Sequence, residues 1–537
     1  MRQHFRGLAI PGCLTVAIAV LACSGSGGGG TTGPSPGPTE RGPSASATPS
    51  SAKARIIDLS STSPTNVIYA VAQGDLRSDQ PGLAVGDFND DGFDDIVVGA
   101  RFADGPDDRL DSGAAYVILG SADPPPSLDL AEGGQDVTIL GPNPESGLGF
   151  SAAAADLNGD GLDDIVLGAP FTNADNRTPG AAYVLFAPLD ANTIDLANGE
   201  ADVAITGTAT DAFFGDSLAA GDVNGDGTAD LIVGATFGSG PGGNTNRGGA
   251  VYTFLGREEW PAALSPAEAD VSFFGAEEFD ELGDFVTSGD INGDGFDDII
   301  ATAEAADGPD NARQTAAEVH VLFGAADLSG TFEIARGQQD LSVYGANSQD
   351  TLGFSLASAD LDGDGIDDLV MGARLASGPN NAIPRAGQVY VLFGREDLPD
   401  SVDLLQIPDL VSAIHAPTQS EFLGTSEAVA DLDGDGDGEL IMGASSADAP
   451  SHGDAGIVYV AEGPLETPAG QFVSVDKTPL LAVVYGAADA DRFGGAVSAG
   501  DFNGDGRLEL IAVAMDAAGP DGQRPGAGRV YVIQVGG

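Results

Sequence analysis

A nine-residue acidic loop recurs seven times in this chain of 537 residues, and it is the feature that most restricts the fold. Successive copies lie 66 to 71 residues apart, and each runs directly into an apolar segment, as in "DFNDDGFDDIVVGA". A period of this length indicates supersecondary units that are stable only when they pack against their neighbours. The copies begin at Asp87, Asp156, Asp222, Asp290, Asp360, Asp431 and Asp501.

Each period contains four short apolar segments separated by turn residues. In the second period they are "FSAAAADL", "DDIVLGA", "GAAYVLFA" and "DVAITG". Such segments predict strands joined by turns, and the 79 glycines, 32 prolines and lack of long amphipathic helices indicate an all-β protein. We therefore predict a seven-bladed β-propeller of four-stranded antiparallel blades.

The two ends of the repeat region complement each other. After the last acidic loop the chain supplies only two more strands, "LELIAVA" and "RVYVIQV". At the front, the segment from Ile56 to Ala72 aligns with the parts of other periods that lead into a fourth strand. The N-terminal strand is therefore predicted to complete the last blade, which closes the ring over residues 55–537 and leaves no open sheet edge there.

The acidic loops have the pattern of calcium ligands. Oxygen-bearing side chains occupy positions 1, 3, 5 and 9, and glycine at position 6 permits a turn that lets the position 7 carbonyl join them. A hard dication with six or seven oxygen ligands relieves the repulsion among these carboxylates, and calcium fits that number better than magnesium. The predicted ligands are Asp87, Asn89, Asp91, Phe93, Asp95; Asp156, Asn158, Asp160, Leu162, Asp164; Asp222, Asn224, Asp226, Thr228, Asp230; Asp290, Asn292, Asp294, Phe296, Asp298; Asp360, Asp362, Asp364, Ile366, Asp368; Asp431, Asp433, Asp435, Asp437, Glu439; and Asp501, Asn503, Asp505, Arg507, Glu509.

The EF-hand begins with a similar pattern but needs a glutamate at position 12 and flanking helices. Here position 12 is apolar in every copy, so the EF-hand is excluded. One such loop could be an ordinary Asp-Gly turn. Seven copies that keep the position 9 acid predict about seven structural Ca²⁺ ions.

The formal charge of −61 excludes nucleic acid as an expected partner. Duplex binding depends on basic groups that neutralise phosphates, and this chain has 82 acidic against 21 basic residues. Most of the acids are expected to form a solvated surface whatever the function.

The N-terminus predicts export. Residues 1–22 read as a signal peptide: Arg2 and Arg6 precede an apolar stretch too short for a membrane span. Val20 to Cys23 resembles the lipobox of bacterial lipoproteins, so Cys23 is a candidate lipidation site and residues 23–54 a disordered tether. Leu21 is larger than usual there, and plain cleavage after Ala22 is the alternative. The lipoprotein interpretation places the protein at the bacterial outer membrane or cell surface, anchored by its N-terminal lipid.

The loops between the second and third strands are rich in glycine, asparagine and arginine, and an arginine occurs in six of seven. In an antiparallel blade these loops lie on the face opposite the acidic loops. Two interpretations are open: each arginine pairs with carboxylates of its own or the adjacent blade, or the set forms a ligand face. The arginines are Arg109, Arg177, Arg247, Arg313, Arg385 and Arg524.

Taken together, the loops, the openings such as Gly149-Phe150 and Phe493-Gly494, and the closing Gly168 to Pro170 resemble the FG-GAP repeat family. That family forms the seven-bladed propeller of integrin alpha subunits and occurs in many bacterial surface proteins. The resemblance covers roughly residues 55–537 and implies a calcium-binding propeller with a role in recognition. All seven loops here keep the metal pattern, whereas integrins keep it in only some.

We therefore expect a binding or adhesion module rather than an enzyme, with an unidentified extracellular protein or glycan as ligand. The histidines beyond the signal, His320, His415 and His452, lie in separate repeats, and no nucleophile elbow or phosphate-binding glycine loop is present. The alternative is a carbohydrate-active enzyme, a polysaccharide lyase or hydrolase, because carboxylate pairs are abundant. A purely structural surface protein is the third possibility.

Overall fold

The structure is a computed structural model. It describes residues 54–62, 66–72, 75–76, 82–173, 178–189, 191–241, 246–465 and 470–536. The predicted signal peptide, Cys23, the tether up to residue 53 and Arg177 lie outside the described residues. No helix within the described ranges has the length and hydropathy needed to cross a membrane.

The described residues form short strands and isolated 3-10 turns, with no α-helix among them. The 3-10 turns are Leu130–Glu132, Leu196–Asn198, Pro266–Glu268, Pro309–Asn311, Ile334–Arg336, Pro379–Asn381, Leu404–Gln406, Val475–Lys477 and Pro520–Gly522. The strands are β1 (Arg55–Asp58), β2 (Asn66–Tyr69), β3 (Leu83–Gly86), β4 (Asp95–Ala100), β5 (Ala114–Ile118), β6 (Ser127–Asp129), β7 (Val137–Leu140), β8 (Ala152–Ala155), β9 (Asp164–Ala169), β10 (Ala181–Leu185), β11 (Thr193–Asp195), β12 (Val203–Thr206), β13 (Phe214–Gly221), β14 (Asp230–Ala235), β15 (Ala250–Phe254), β16 (Ala263–Leu264), β17 (Val271–Phe274), β18 (Leu282–Gly289), β19 (Asp298–Ala303), β20 (Glu318–Leu322), β21 (Gly330–Glu333), β22 (Leu341–Tyr344), β23 (Leu356–Ala359), β24 (Asp368–Ala373), β25 (Gln388–Leu392), β26 (Ser401–Asp403), β27 (Val411–His415), β28 (Leu423–Ala430), β29 (Glu439–Ala444), β30 (Ile457–Ala461), β31 (Phe472–Ser474), β32 (Leu480–Tyr485), β33 (Phe493–Gly500), β34 (Glu509–Ala514) and β35 (Arg529–Ile533).

These strands form seven sheets of five strands each, which are the blades of an all-β propeller. From the inner to the outer edge, blade 1 contains β3, β4, β5, β7 and β11, and blade 2 contains β8, β9, β10, β12 and β16. Blade 3 contains β13, β14, β15, β17 and β21, blade 4 contains β18, β19, β20, β22 and β26, and blade 5 contains β23, β24, β25, β27 and β31. Blade 6 contains β28, β29, β30, β32 and β1, and blade 7 contains β33, β34, β35, β2 and β6.

The prediction of four antiparallel strands per blade was correct for the inner four and incomplete for the outer edge. A short fifth strand pairs in parallel with the fourth, as Ile194 of β11 does opposite Ile139 of β7. The fifth strand comes from the next repeat, in the connection between its third and fourth strands. Sequence reasoning missed it because it is only two to four residues long and has no alternating apolar pattern.

The predicted ring closure is confirmed. The N-terminal strand β2 is the fourth strand of blade 7 and pairs antiparallel with β35, with Val67 opposite Tyr531. The preceding strand β1 is the fifth strand of blade 6, where Ile57 lies opposite Val484 of β32. The N-terminal segment therefore crosses two blades, and its backbone hydrogen bonds fasten both to the rest of the ring.

Close backbone contact between neighbouring blades explains the recurrent glycines. A Cβ atom on Gly168, which lies in the second strand of blade 2, would be 2.1 Å from the carbonyl oxygen of Gly215 in blade 3. Gly215 itself has a φ of +84°, a conformation that glycine adopts without strain. In blade 4 the position of Gly168 is taken by Thr302, whose hydroxyl donates a hydrogen bond to Gly353 O at 2.9 Å. The glycines therefore set how closely adjacent blades approach.

The second strand of every blade is buried along its whole length, and apolar side chains from adjacent blades form shared core clusters. The acidic loops lie between the first and second strands. The connections between third and fourth strands lie on the same face, because Gly120 N there donates to Asp95 at 2.8 Å. The loops between second and third strands lie on the other face, beside the connections between blades.

Candidate metal sites and candidate ligand face

The acidic loops are curled by hydrogen bonds to the position 1 carboxylate. In the second loop, Asp156 accepts hydrogen bonds from the backbone N–H groups of Gly159 at 2.7 Å and Gly161 at 2.8 Å. The position 6 glycines all have φ between +82° and +98°, so the predicted need for glycine is confirmed. This curl turns the side chains of alternate residues toward the inside of the loop.

The position 9 carboxylate is buried at the start of the second strand. Asp164 is fully buried and accepts hydrogen bonds from Leu157 N and Ala187 N, both at 3.0 Å. Burial raises its pKa to about 7, against the two backbone hydrogen bonds, and the Asp160 and Asp156 carboxylates raise it further. The pKa of the equivalent residue is raised by burial to about 7 in five other loops and to about 8 in one: Asp95, Asp230, Asp368, Glu439, Glu509 and Asp298 respectively.

Such a carboxylate is ionised at neutral pH only if something compensates its charge. Without such compensation the group binds a proton and is neutral; a bound cation instead keeps it ionised. The position 9 acid recurs in all seven loops, and each curled loop presents further oxygens beside it. The sequence pattern therefore predicts that a bound cation compensates the charge of this carboxylate.

The carboxylates of positions 1, 3 and 9 meet in the two loops that have aspartate at position 3. In each of these loops, one oxygen atom from each of the three residues lies within 4.8 Å of the other two. The sixth loop, whose interior departs most from the others in sequence, is one of these two. The two groups are Asp360, Asp362 and Asp368, and Asp431, Asp433 and Glu439.

In two of the five loops with asparagine at position 3, the amide contacts the position 9 carboxylate. Asn292 Nδ2 lies 3.2 Å from Asp298 Oδ1, and Asn503 Nδ2 lies 2.5 Å from Glu509 Oε1. In the first loop, Asn89 Oδ1 is buried and has no hydrogen-bond partner among the described residues. A buried amide oxygen without a donor is the environment that a cation would satisfy.

The donor set therefore fits a hard divalent cation: the carboxylate oxygens of positions 1, 3 and 9 lie together in the fifth and sixth loops, and the buried Asn89 amide oxygen of the first loop lacks a donor. The position 5 carboxylates do not join a group of three within the 4.8 Å limit in any of the seven loops, all of which are described. In each loop one oxygen of the position 5 carboxylate accepts the N–H of position 7, as Asp160 Oδ1 does from Leu162 N at 3.0 Å. Ligation by positions 5 and 7, and the number of ions, stay predictions.

On the opposite face, three of the six predicted arginines fasten the fifth strand of their own blade. Arg109 donates two hydrogen bonds to the Asp195 carboxylate and one to Gly141 O, all at 2.6 Å. Asp195 ends the fifth strand and Gly141 follows the fourth, so one guanidinium holds both. Arg313 does the same with Asp403.

Arg524 repeats this arrangement at the ring closure, where it donates to Asp129 and to Ala70 O. In blade 5 the equivalent position is Ile383, and the fifth strand there ends in Ser474, which needs no cation. Arg109, Arg313 and Arg524 therefore form the carboxylate pairs that the pairing interpretation predicts. Arg177 is outside the described residues.

Arg247 and Arg385 have a different place. They lie three residues before the third strand, with φ of +55° and +50°, and line a cavity of about 810 Å³ where blades 3, 4 and 5 meet. The Arg247 guanidinium stacks on Phe237, 3.4 Å from the ring centroid, and lies 3.9 Å from Glu281. Two of the six predicted arginines are thus candidates for ligand contact.

Two smaller cavities lie on the same face. One of about 390 Å³ is lined by residues including Phe102, Phe171 and Phe213, and another of about 220 Å³ is lined by residues including Phe422 and Arg492. Cavities and metal loops therefore occupy opposite faces of the ring.

Comparison with known proteins identifies the repeats. The family model described as "FG-GAP repeat" matches seven segments that together make up just over half of the chain: residues 81–118, 148–185, 214–254, 282–322, 352–392, 423–461 and 493–533. The chain belongs to the FG-GAP repeat family. Each matched segment begins just before or within the first strand of a blade and ends at its third strand.

Curated relatives match parts of this FG-GAP propeller. They include a phosphatidylinositol-glycan-specific phospholipase D of Rattus norvegicus (33% identity over 37% of this chain and 23% of the relative), integrin alpha-PS5 of Drosophila melanogaster (36%; 30% and 15%) and integrin alpha-5 of Xenopus laevis (30%; 42% and 20%). The matches span less than a quarter of the length of these relatives. A solved exotype rhamnogalacturonan lyase, YesX, superposes with a TM-score of 0.39 at 11% identity, covering 85% of this chain and 72% of the other.

The FG-GAP propeller also has cavity residues that sequence reasoning missed. Arg101 and Arg374 directly follow the second strands of blades 1 and 5, and Arg492 precedes the first strand of blade 7. All three line cavities on the same face as Arg247 and Arg385. For Arg101 and Arg374, the signal that could have found them is the residue after the closing "GA", which varies from repeat to repeat.

Proposed function

We propose that this FG-GAP propeller is an exported, calcium-loaded binding module, and not an enzyme. The observation that carries the proposal is the division of the ring into two faces. Oxygen ligands converge in repeated loops on one face, whereas cavities lined by variable side chains lie on the other. In this arrangement calcium stiffens the ring and the opposite face contacts an extracellular protein or glycan.

Calcium in this role is structural. Each loop joins the first and second strands of one blade, and in four junctions the position 1 N–H of the loop also donates to a carboxylate in the acidic loop of the next blade. For example, Asp87 N donates to Asp163 at 3.3 Å and Asp501 N donates to Asp94 at 2.7 Å. An ion that binds only the folded loops stabilises the fold by mass action.

A buried polar cluster in blade 4 supports the non-enzymatic interpretation. His320 Nδ1 lies 2.9 Å from Ser342 Oγ, and its Nε2 lies 3.1 Å from Glu318. The contacts imitate a Ser-His-Glu triad, but Ser342 is 1% exposed and His320 3% exposed, so a substrate cannot reach them. The cluster is a hydrogen-bonded pair across strands β20 and β22.

For localisation, we propose that the signal peptide directs export and that Cys23 carries the lipid that anchors the propeller at the bacterial outer membrane or cell surface. Mass spectrometry of the mature protein tests this directly. A diacylated or triacylated N-terminal cysteine is expected, and an unmodified N-terminus at Cys23 would show plain signal cleavage.

The test of function is a binding and cleavage screen with the calcium-loaded protein. Arrays of glycans and of extracellular proteins should give retention without product, and substitution of Arg492 by Gln or Phe213 by Ala should reduce retention if the cavity face is the contact. Reducing ends or unsaturated products released from a retained polysaccharide would instead establish the enzymatic alternative.

A further inference from the structure

The wall of the cavity between blades 3, 4 and 5 is formed by loops of all three blades. Phe237 and Arg247 come from blade 3, Glu304 and Thr315 from blade 4, and Arg374 to Arg385 from blade 5, with the two inter-blade connections between them. Its volume of about 810 Å³ is in the range of sites that enclose a small ligand or a few sugar residues.

The inter-blade connections place bulky side chains where the backbone would favour glycine. Phe279 and Glu281 have φ of +71° and +63°, and Gln349 and Thr351 have φ of +67° and +55°. A left-handed conformation costs a non-glycine residue about 1 kcal/mol or more, and a β-branched threonine is an outlier there. All four residues line the cavity. The same conformation recurs at the equivalent residues of other inter-blade connections, such as Phe213 and Phe422, so it belongs to the repeat; between blades 3, 4 and 5 it places these four side chains in the cavity wall.

The cavity wall carries three arginines beside three acids, Glu281, Glu304 and Asp350, which is a far higher share of basic groups than in the chain as a whole. Three of the chain's 21 basic residues lie in its wall. The guanidinium of Arg374 is held 3.4 Å above the ring of Phe354, as that of Arg247 is above Phe237. Arg385 is exposed, and its guanidinium makes no hydrogen bond or ion pair with the described residues. Arg385 is therefore free to bind an anionic group, beside two arginines whose orientation is already fixed.

The rest of the wall combines an exposed ring with neutral hydrogen-bonding groups. Phe279 is 49% exposed, and its neighbours in the wall include Gln349, Asn381 and Ser348. Glu281 and Glu304 add acceptors. A sugar offers hydroxyl donors to the carboxylates and amides and an apolar face to the ring, whereas the carboxylate side chains of an acidic peptide offer neither.

We propose that this cavity binds an acidic oligosaccharide, with a uronate carboxylate on Arg385 and a pyranose face on Phe279. The inference rests on the proposed function, because it assigns a ligand class to part of the same face. It requires no reaction at the site.

The test is calorimetry with the calcium-saturated mature protein at fixed excess calcium. The probes are tetragalacturonate, its methyl ester and tetra-aspartate. We expect tetragalacturonate to bind, the ester to bind about tenfold more weakly, and tetra-aspartate to give no heat of binding. The variant Arg385→Gln should weaken tetragalacturonate about tenfold and leave the ester unchanged. Phe279→Ala should weaken both.

The matched control is Arg395→Gln. It removes the same charge from the same blade, but on the calcium face, where Arg395 pairs with Asp397; affinity should stay within twofold. Equal binding of tetra-aspartate, or an affinity for tetragalacturonate that Arg385→Gln and Phe279→Ala leave unchanged, overturns the proposal.

The outcomes separate this inference from the proposed function. If tetragalacturonate does not bind but an array ligand does, and its retention depends on Arg492 or Phe213, the binding role stands and the acidic-glycan assignment is wrong. If neither probe nor array gives retention, the proposed function itself fails.

Discussion

The Arg109 to Asp195 pair should be a structural fastener whose loss releases the outer edge of blade 1. The two side chains are 10% and 19% exposed, and three hydrogen bonds of 2.6 Å join the guanidinium to Asp195 and Gly141 O. Removal of one partner from a buried ion pair costs about 3–5 kcal/mol. Because Asp195 keeps the N–H of Ala197 and some water, we expect about 3 kcal/mol for Arg109→Met.

The assay is hydrogen exchange of the peptide that contains β11, together with urea unfolding at saturating calcium. A loss of about 3 kcal/mol in local stability corresponds to roughly 100-fold faster exchange in β11. A double-mutant cycle with Asp195→Asn should give a coupling energy above about 1 kcal/mol. Arg385→Met is the control, because that guanidinium is exposed and unpaired among the described residues. This variant should leave the exchange rate of β11 unchanged.

The pH dependence of this effect follows from the pKa of Asp195. The hydrogen bonds from Arg109 lower that pKa. Its contribution is therefore fully present above the pKa of the unfolded chain, near 4, and is lost as the pH falls through the lowered folded value. The difference between wild type and Arg109→Met should be constant from pH 5 to 8 and shrink below pH 4. An exchange rate in β11 unchanged by Arg109→Met, or a coupling energy near zero, would refute the reasoning.

Two further predictions concern the contacts between blades and the buried acids. Gly168→Ala places a Cβ 2.1 Å from Gly215 O and should lower the free energy of unfolding in urea by about 2 kcal/mol or more. Gly453→Ala is the control: its Cβ would make only an ordinary contact at 3.6 Å, and the free energy of unfolding should change by less than about 0.5 kcal/mol. Burial raises the pKa of Asp216 to about 7, so the stability that its neutral form contributes is lost as the pH rises from about 4 to 7. The stability of Asp216→Asn relative to wild type should therefore increase by about 2–3 kcal/mol between pH 5 and pH 8. A difference that does not change with pH would contradict the burial of this carboxyl group.

The sequence was sufficient for the repeat, the number of blades and the ring closure, because each rests on a pattern repeated seven times. It was insufficient for the fifth strands. Residues such as Thr193 to Asp195 form a strand only because the fourth strand of the preceding blade offers an unpaired edge, and that neighbour is not visible in local propensity.

The arginines illustrate a second limit. Arg109, Arg313 and Arg524 precede the third strand by five residues, and Arg247 and Arg385 precede it by three. The offset decides whether the guanidinium reaches the fifth strand or the cavity. This offset is not visible in the sequence, because the loops differ in length, but it is clear once the start of each third strand is known. The sequence could single out Arg374 as a variable residue but could not predict the cavity that it lines, because that cavity arises from three blades at once.

The measurement that tests the central claim most directly is the calcium content of the folded protein by elemental analysis after dialysis against micromolar calcium. We predict about seven ions per chain, a decrease of one for Asp368→Asn, whose oxygen meets those of Asp360 and Asp362, and a marked fall in melting temperature on chelation. A chain that retains no calcium and melts at the same temperature with and without chelator would contradict the account.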